Sequence, residues 1–205
     1  GVDGNGATDM SINSSRSLFI LDGQDLWKSD NFGVTWTKIN EDYNGAEGQN
    51  GAVFSVDKSD GLVIMETDQE VWRSNDSGAS FTKISTDFNG GNGNIFGISV
   101  NSSNVIFVVD NQADVWESEN SGATWTLVKD DYNAAASNGA DGMTIDLSNN
   151  LYILDIQDVW KSTDSGISWT KINDDFNGAG DSNAGSVIYS GENNYVYIID
   201  GSEDV

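Results

Sequence analysis

One octapeptide returns four times in this chain at nearly constant spacing, and that periodicity limits what it can fold into more than any other feature. It reads SDNFGVTW at 29–36, SNDSGASF at 74–81, SENSGATW at 118–125 and STDSGISW at 162–169, so the starts are 45, 44 and 44 residues apart. The seven tryptophans occupy two columns of the repeat: Trp27, Trp72, Trp116 and Trp160 ahead of the octapeptide, and Trp36, Trp125 and Trp169 at its end. Phe81 takes the remaining place. Large side chains recurring on one period indicate a single supersecondary unit copied in tandem.

Within each unit the pattern predicts four short strands. The first covers 10–12, 53–56, 95–98, 143–145 and 187–189, often introduced by Asn-Gly as at Asn50-Gly51 and Asn138-Gly139. The second (18–21, 62–65, 105–109, 151–154, 195–199) is apolar almost throughout, as expected of a strand covered on both faces. The third carries the Asp/Glu-Val/Leu-Trp signature, and the fourth starts with Thr35-Trp36-Thr37 and its equivalents. Before Trp116 the turn holds a one-residue insertion around Ala113, read as an altered loop. No segment has the 3.6-residue spacing of a helix.

Four strands in about 44 residues is the spacing of propeller blades, small sheets stacked so that both faces are buried. The expected fold is all-β: a β-propeller or open propeller-like array of four-stranded antiparallel blades, with a β-solenoid as the rival. The blades fall near 6–49, 50–92, 93–137 and 138–182, with a partial blade at 183–205, in one repeat domain. Because the fifth unit stops short of its tryptophan and octapeptide, the expectation is a segment of a longer repeat protein, or a ring or fibre completed by another copy through the incomplete blade.

The chain has no Cys, Pro or His, which excludes thiolate nucleophiles, Cys/His zinc sites and histidine triads. Its 33 acids against 9 bases give a net charge of -24, which argues against nucleic acid and anionic membranes as partners. No apolar run reaches the roughly 18 residues of a membrane-spanning helix.

The octapeptide resembles the Asp-box, or BNR repeat, of sialidases, sortilin-type receptors, xyloglucan-cleaving glycosidases and a photosystem assembly factor. In that family the box is the turn between a blade's third and fourth strands. The resemblance implies that Asn31, Asp76, Asn120 and Asp164 accept hydrogen bonds from turn amides, following Ser29, Ser74, Ser118 and Ser162. Gly33, Gly78, Gly122 and Gly166 would give backbone freedom, and Trp36, Phe81, Trp125 and Trp169 would anchor the turn. The box is then architecture rather than a ligand site. A sialidase needs an arginine triad, and only Arg16 and Arg73 are present. A carboxylate-pair glycoside hydrolase should show an acid pair that breaks the repeat, and none stands out.

The acids recur in two clusters. One lies between the second and third strands: Asp22 with Asp25, Asp68 with Glu70, Asp110 with Asp114, Asp155 with Asp158, and Asp200 with Asp204. The other follows the fourth strand, at 42–45, 87–90, 131–134 and 175–178. In an antiparallel meander both emerge on one face. Three readings of that face stay open: solvation, calcium, or a basic or glycan partner using Tyr43, Phe88, Tyr132 and Phe176 as platforms, with the alternative that these four aromatics simply pack under the loop. Calcium would use Asp42, Asn44, Asp87, Asn89, Asp131, Asn133, Asp175 and Asn177, since 40–45 and 173–178 place oxygen donors at alternate positions. In the other copies Ser85 and Lys129 stand at the first position, and no bidentate Glu follows. The function expected is a non-catalytic extracellular structural or interaction scaffold, as a cell-surface, fibre or virion component, with a glycan- or protein-binding module as the alternative and a glycosidase behind it.

Overall fold

The computed structural model describes residues 6–45, 51–90, 94–134, 140–176, 185–191 and 193–200. Asn50 and the Asn138-Gly139 pair lie outside these residues. The first sheet joins β1 (Asp9–Ile12), β2 (Leu18–Asp22), β3 (Asp25–Ser29) and β4 (Thr37–Asn40) in chain order. The second repeats this with β5 (Gly51–Val56), β6 (Leu62–Glu66), β7 (Val71–Ser74) and β8 (Thr82–Ser85). The third holds β9 (Ile95–Val100), β10 (Ile106–Asp110), β11 (Val115–Ser118) and β12 (Thr126–Lys129). The fourth holds β13 (Gly142–Ile145), β14 (Leu151–Asp155), β15 (Asp158–Ser162) and β16 (Thr170–Asp174), and β17 (Gly185–Ser190) pairs with β18 (Val196–Asp200). These are four antiparallel propeller blades and a two-stranded fifth sheet, and no helix occurs among the described residues.

The second strands explain why the sheets stack. β6, β10 and β14 are buried at every position, whereas β2 alternates, with Phe19 and Leu21 buried and Leu18 and Ile20 half-buried. The alternation departs from the two-sided coverage expected of every second strand: the face of the first sheet carrying Leu18 and Ile20 also carries the exposed Met10 and Ile12.

Three local features differ from the sequence expectation. The fourth strand begins after the aromatic, at Thr37 rather than Thr35, because the Trp36 indole is held in the turn by a 3.0 Å hydrogen bond from its Nε1 to the Gly33 carbonyl. The pairing of third and fourth strands slips by one residue just before the tryptophan in all four blades, at Leu26/Trp27, Val71/Trp72, Val115/Trp116 and Val159/Trp160. Such a bulge twists the strand and re-aims its side chains. The insertion at Ala113 is no singularity either: both Gln69 and Ala113 adopt positive φ in matching three-residue turns, where Glu66 N donates to Glu70 O and Asp110 N to Asp114 O.

The chain divides into two compact units, Gly1–Ile95 with Ser118–Trp125, and Phe96–Glu117 with Thr126–Val205. In the first, Phe19, Leu21 and Leu26 of the first blade pack with Phe54, Leu62, Ile64 and Trp72 of the second. In the second, Phe107, Val109 and Val115 pack with Met143, Leu151 and Ile153, and Tyr152, Leu154 and Val159 pack with Ile188, Val196 and Ile198. Among the described residues of each unit, no strand ladder joins one blade to the next; side chains do. Asp9 Oδ2 accepts from Phe54 N at 2.8 Å, and Asn40 Nδ2 donates to Gly78 O at 3.3 Å. In the second unit Asn149 accepts from Ser102 N and Asn194 from Leu147 N, each at 3.0 Å.

The second blade also holds a buried ion pair, Arg73 with Asp57, whose other oxygen accepts from Ser59 N and Gly61 N. Removing the carboxylate would strand a desolvated guanidinium and two amides. Asp57→Ala is therefore expected to lower stability by about 3–5 kcal/mol. Urea denaturation checks this, and a loss under about 1 kcal/mol would show that the pair is not desolvated as described.

Candidate functional site

Each octapeptide folds as a turn closed by its own side chains. The Asx oxygen accepts from the amide four residues on: Thr35 N to Asn31 at 2.8 Å, Ser80 N to Asp76 at 2.9 Å, Thr124 N to Asn120 at 2.8 Å and Ser168 N to Asp164 at 2.9 Å. The leading serine is a second hub that the sequence reading left without a role. Ser29, Ser74, Ser118 and Ser162 are buried, donate to the Asx oxygen and accept from the glycine amide at 2.8–2.9 Å. The signal was the presence of Ser at that position in all four copies. Trp125 and Trp169, like Trp36, donate from Nε1 to the carbonyl of their own box glycine. Phe81 has no such donor, and Asn40 of the preceding blade supplies the hydrogen bond to Gly78 O instead.

At the other end of the first, third and fourth blades the two acidic clusters meet. The segment after the fourth strand bonds to the turn between second and third strands of its own blade: Tyr43 N to Gln24 O, Tyr132 N to Ala113 O, and Phe176 N to Gln157 O. The aromatics of this segment are packed rather than presented. Tyr43, Phe88 and Tyr132 are buried, with Tyr43 against Trp72 and Phe81, Phe88 against Trp125, and Tyr132 against Trp160 and Trp169. Phe176 packs against the cluster around Tyr152 and Leu154. Of the two alternatives for these aromatics, packing under the loop is the one the structure shows, and the platform alternative is not supported.

The residues proposed for calcium are placed as follows. Asn44 is buried, accepts from Gln24 Nε2 at 3.1 Å and donates to Glu66 Oε1 at 2.7 Å. Asn133 donates to Asp155 Oδ2 at 2.7 Å. Asp87 Oδ1 accepts from Asn89 N and Gly90 N; Asn89 is buried, and Asp42 is exposed. Asp131 and Asp175 have positive φ and each keeps one buried oxygen without a hydrogen bond. Asn177, together with Gly178 and Asp204, lies outside the described residues. Among the described residues the carboxylates that converge are Glu66, Asp68 and Glu70, with oxygens within 4.8 Å of one another, and none of them is among the eight. Glu66 is buried and its Oε1 also accepts from the Tyr43 hydroxyl at 2.7 Å.

The family model described as Sortilin, neurotensin receptor 3 matches residues 24–155, more than half of the chain and three of its boxes. The chain belongs to the sortilin–Vps10 family. No curated protein matches it. Among solved structures, this sortilin–Vps10 chain is similar to a chain of a nidogen–laminin complex, at TM-score 0.73 and 13% identity over 96% of this chain and 72% of that one. It is similar to the GH74 enzyme of Niastella koreensis at TM-score 0.69 and 19% identity, over 96% of this chain and 33% of that one. YCF48 bound to a D1 peptide follows at TM-score 0.52 and 13% identity, over 80% of this chain and 52% of that one. The chain thus spans about half of YCF48 and a third of the GH74 enzyme, and at these identities the likeness is one of fold.

Local environment moves the pKa of some acids of the sortilin–Vps10 chain up and of others down. Burial pushes Asp9 from its ordinary 3.8 up to about 6, against hydrogen bonds from Phe54 N and Met10 N. Burial likewise raises Glu66, Asp114, Asp141 and Asp155. The box acids move the other way: hydrogen bonds from Ser80 and Ser74 bring Asp76 down to about 2, and those from Ser168 and Ser162 lower Asp164.

Acids with raised values bind protons more tightly folded than unfolded, so their stabilisation is complete below about pH 4 and is lost as pH rises through their folded values. The box acids contribute above their unfolded values and lose that contribution as pH falls. The melting temperature should therefore rise as pH drops from 8 toward about 5 and fall again below about 3.5. Asp9→Asn should flatten the limb between about 4 and 6; a melting temperature highest at pH 8 contradicts the assignment.

The box glycines give a ranking. All four have positive φ, but a Cβ at Gly78 would lie 2.5 Å from Leu26 Cδ2, while at Gly33 the nearest atom, Leu18 Cδ1, is 3.6 Å away. Gly78→Ala is expected to cost more than Gly33→Ala by about 1–3 kcal/mol, and equal losses in denaturant melts would refute the packing described.

Proposed function

We propose that this chain is a non-catalytic interaction scaffold acting outside the cytosol, in an extracellular or luminal setting, and that it binds a basic protein surface. The observation that carries the reading is the tip of the first box. Phe32 is 76% exposed and Val34 79% exposed, on either side of Gly33 in the turn. Phe32 has φ 59, where the other boxes have Ser77, Ser121 and Ser165 at φ 57, 62 and 58. A bulky side chain in the left-handed region is strained, and its exposure gains nothing from burial. The fold disfavours Phe32 twice, which suits an anchor for a partner's apolar pocket.

The net charge of -24 favours a basic rim around that pocket and steers its approach. Membership of the sortilin–Vps10 family supports the non-enzymatic and extracellular or luminal parts of the reading. The acids that come closest to a reacting set, Glu66, Asp68 and Glu70, sit in one turn, and Glu66 is engaged by Tyr43 and Asn44. They suit a structural carboxylate better than a pair flanking a glycosidic bond.

Selection of a random displayed-peptide library on the immobilised chain tests the reading. Lys/Arg-rich peptides with an apolar anchor should be enriched, and binding should weaken with salt and fall at least tenfold in Phe32→Ser, which keeps the fold. Enrichment of uncharged peptides insensitive to Phe32 would overturn the binding mode. Release of reducing sugar from xyloglucan by the purified chain, abolished in Glu66→Gln, would overturn the non-catalytic reading.

A further inference from the structure

In three of the four blades a lysine lies across the third-strand tryptophan. Lys38, Lys83 and Lys171 are the register partners of Trp27, Trp72 and Trp160 on the neighbouring fourth strand. Each side chain runs over the indole, with Nζ 5.1, 4.9 and 5.3 Å from the ring centroid. The ammonium is then held by the acid two residues before the tryptophan: Lys38 by Asp25 at 2.5 Å, Lys83 by Glu70 at 2.8 Å and Lys171 by Asp158 at 2.6 Å. Ring face and carboxylate together make a seat for a primary ammonium, the face through its quadrupole and the carboxylate through a charge-assisted hydrogen bond.

The third blade keeps the seat and replaces the lysine. Trp116 and Asp114 stand where the tryptophan and its acid stand in the other blades, but the register partner of Trp116 is Leu127. A leucine side chain ends two atoms short of a lysine ammonium, and Leu127 is 42% exposed, an apolar residue facing solvent at a position that is basic in the other three copies. Trp116 is half-buried, and its Nε1 donates to Asp110 Oδ2 at 3.1 Å, which sets a second negative charge at the ring edge. Asp114 accepts from Asp131 N at 2.9 Å. Burial raises its pKa, and the charges of Asp110 and Asp130 raise it further, so acids crowd here where the other blades supply a cation. These residues all belong to one compact unit.

We propose that Trp116 and Asp114 bind a primary alkylammonium supplied from outside the chain, the chemistry of a lysine side chain, with Asp110 and Asp130 adding to the field that draws it in. The three sister blades identify the ligand, since each fills the same seat with a lysine of its own. Leu127 does not reach the ammonium position and gives the incoming alkyl stem an apolar shelf to lie along. A quaternary ammonium keeps the attraction to the ring but has no N–H for Asp114, so the site selects for a primary amine. The site is independent of the binding reading given for the first box.

An NMR titration that follows the indole N–H signals at constant ionic strength tests this, because the equivalent tryptophans of the other blades report side by side. n-Butylammonium chloride should shift the Trp116 signal saturably at about millimolar concentration, and at least about threefold more than the signals of Trp27, Trp72 and Trp160, over which lysines already lie. Leu127→Lys, which restores the pattern of the other blades, should abolish the shift, and Asp114→Asn should weaken binding by about fivefold or more. Tetramethylammonium should bind more weakly than n-butylammonium. A blocked Gly-Lys-Gly peptide that binds at least as tightly as n-butylammonium assigns the site to a protein lysine, and a peptide that binds less tightly assigns it to a small amine. Should Asp114→Asn lose its folded circular dichroism spectrum, the Leu127→Lys comparison decides alone. A Trp116 shift no larger than those of the other three, or one that survives Leu127→Lys, would overturn the proposal.

Discussion

A four-stranded sheet with apolar residues on both sides cannot persist alone in water, and this requirement organises the chain. β6, β10 and β14 are buried at every position, and within each unit their apolar residues pack against those of an adjacent blade. Fully burying one such side chain is worth about 1.5–3 kcal/mol, and every blade contributes several. Hydrogen bonds between blades are few and come from side chains, as with Asp9 to Phe54 and Asn149 to Ser102; they set the register of stacking more than its strength.

The box turns solve a different problem. A tight reversal after the third strand leaves amides without ladder partners, and buried amides left open are costly. The Ser and Asx side chains satisfy them within eight residues, so the turn depends little on what it packs against. That independence explains how the apex can carry Phe32 and Val34 in one copy and Ser77 and Ala79 in another with the same backbone. Variation is tolerated at the apex, while Gly78 lies against Leu26 and Ile39 and cannot vary.

Much of the fold was legible because two independent signals, the tryptophan columns and the apolar second strands, share one period. What was not legible depends on tertiary placement. The bulge before each tryptophan adds no residue that a repeat alignment would mark, since all four copies contain it. The acids read as a possible calcium loop were chosen by spacing along the chain. Asn44 and Asn133 reach instead to Glu66 and Asp155 of the following blade, which lie 22 residues away in sequence. Burial of Tyr43, Phe88 and Tyr132 could be posed but not decided, because the tryptophans they pack against belong to the next repeat.

That blades within a unit are joined by side chains rather than by strand ladders among the described residues has a mechanical consequence. Within a sheet, strands are zipped edge to edge; between neighbouring sheets of one unit the described residues meet through side chains. Under tension along the chain the weakest seams are those between sheets, and each would yield as a unit. A blade of about 44 residues drawn out straight releases roughly 150 Å of slack. A tether made of such modules would lengthen in discrete steps under load, absorbing a pull by surrendering one blade while its neighbours hold.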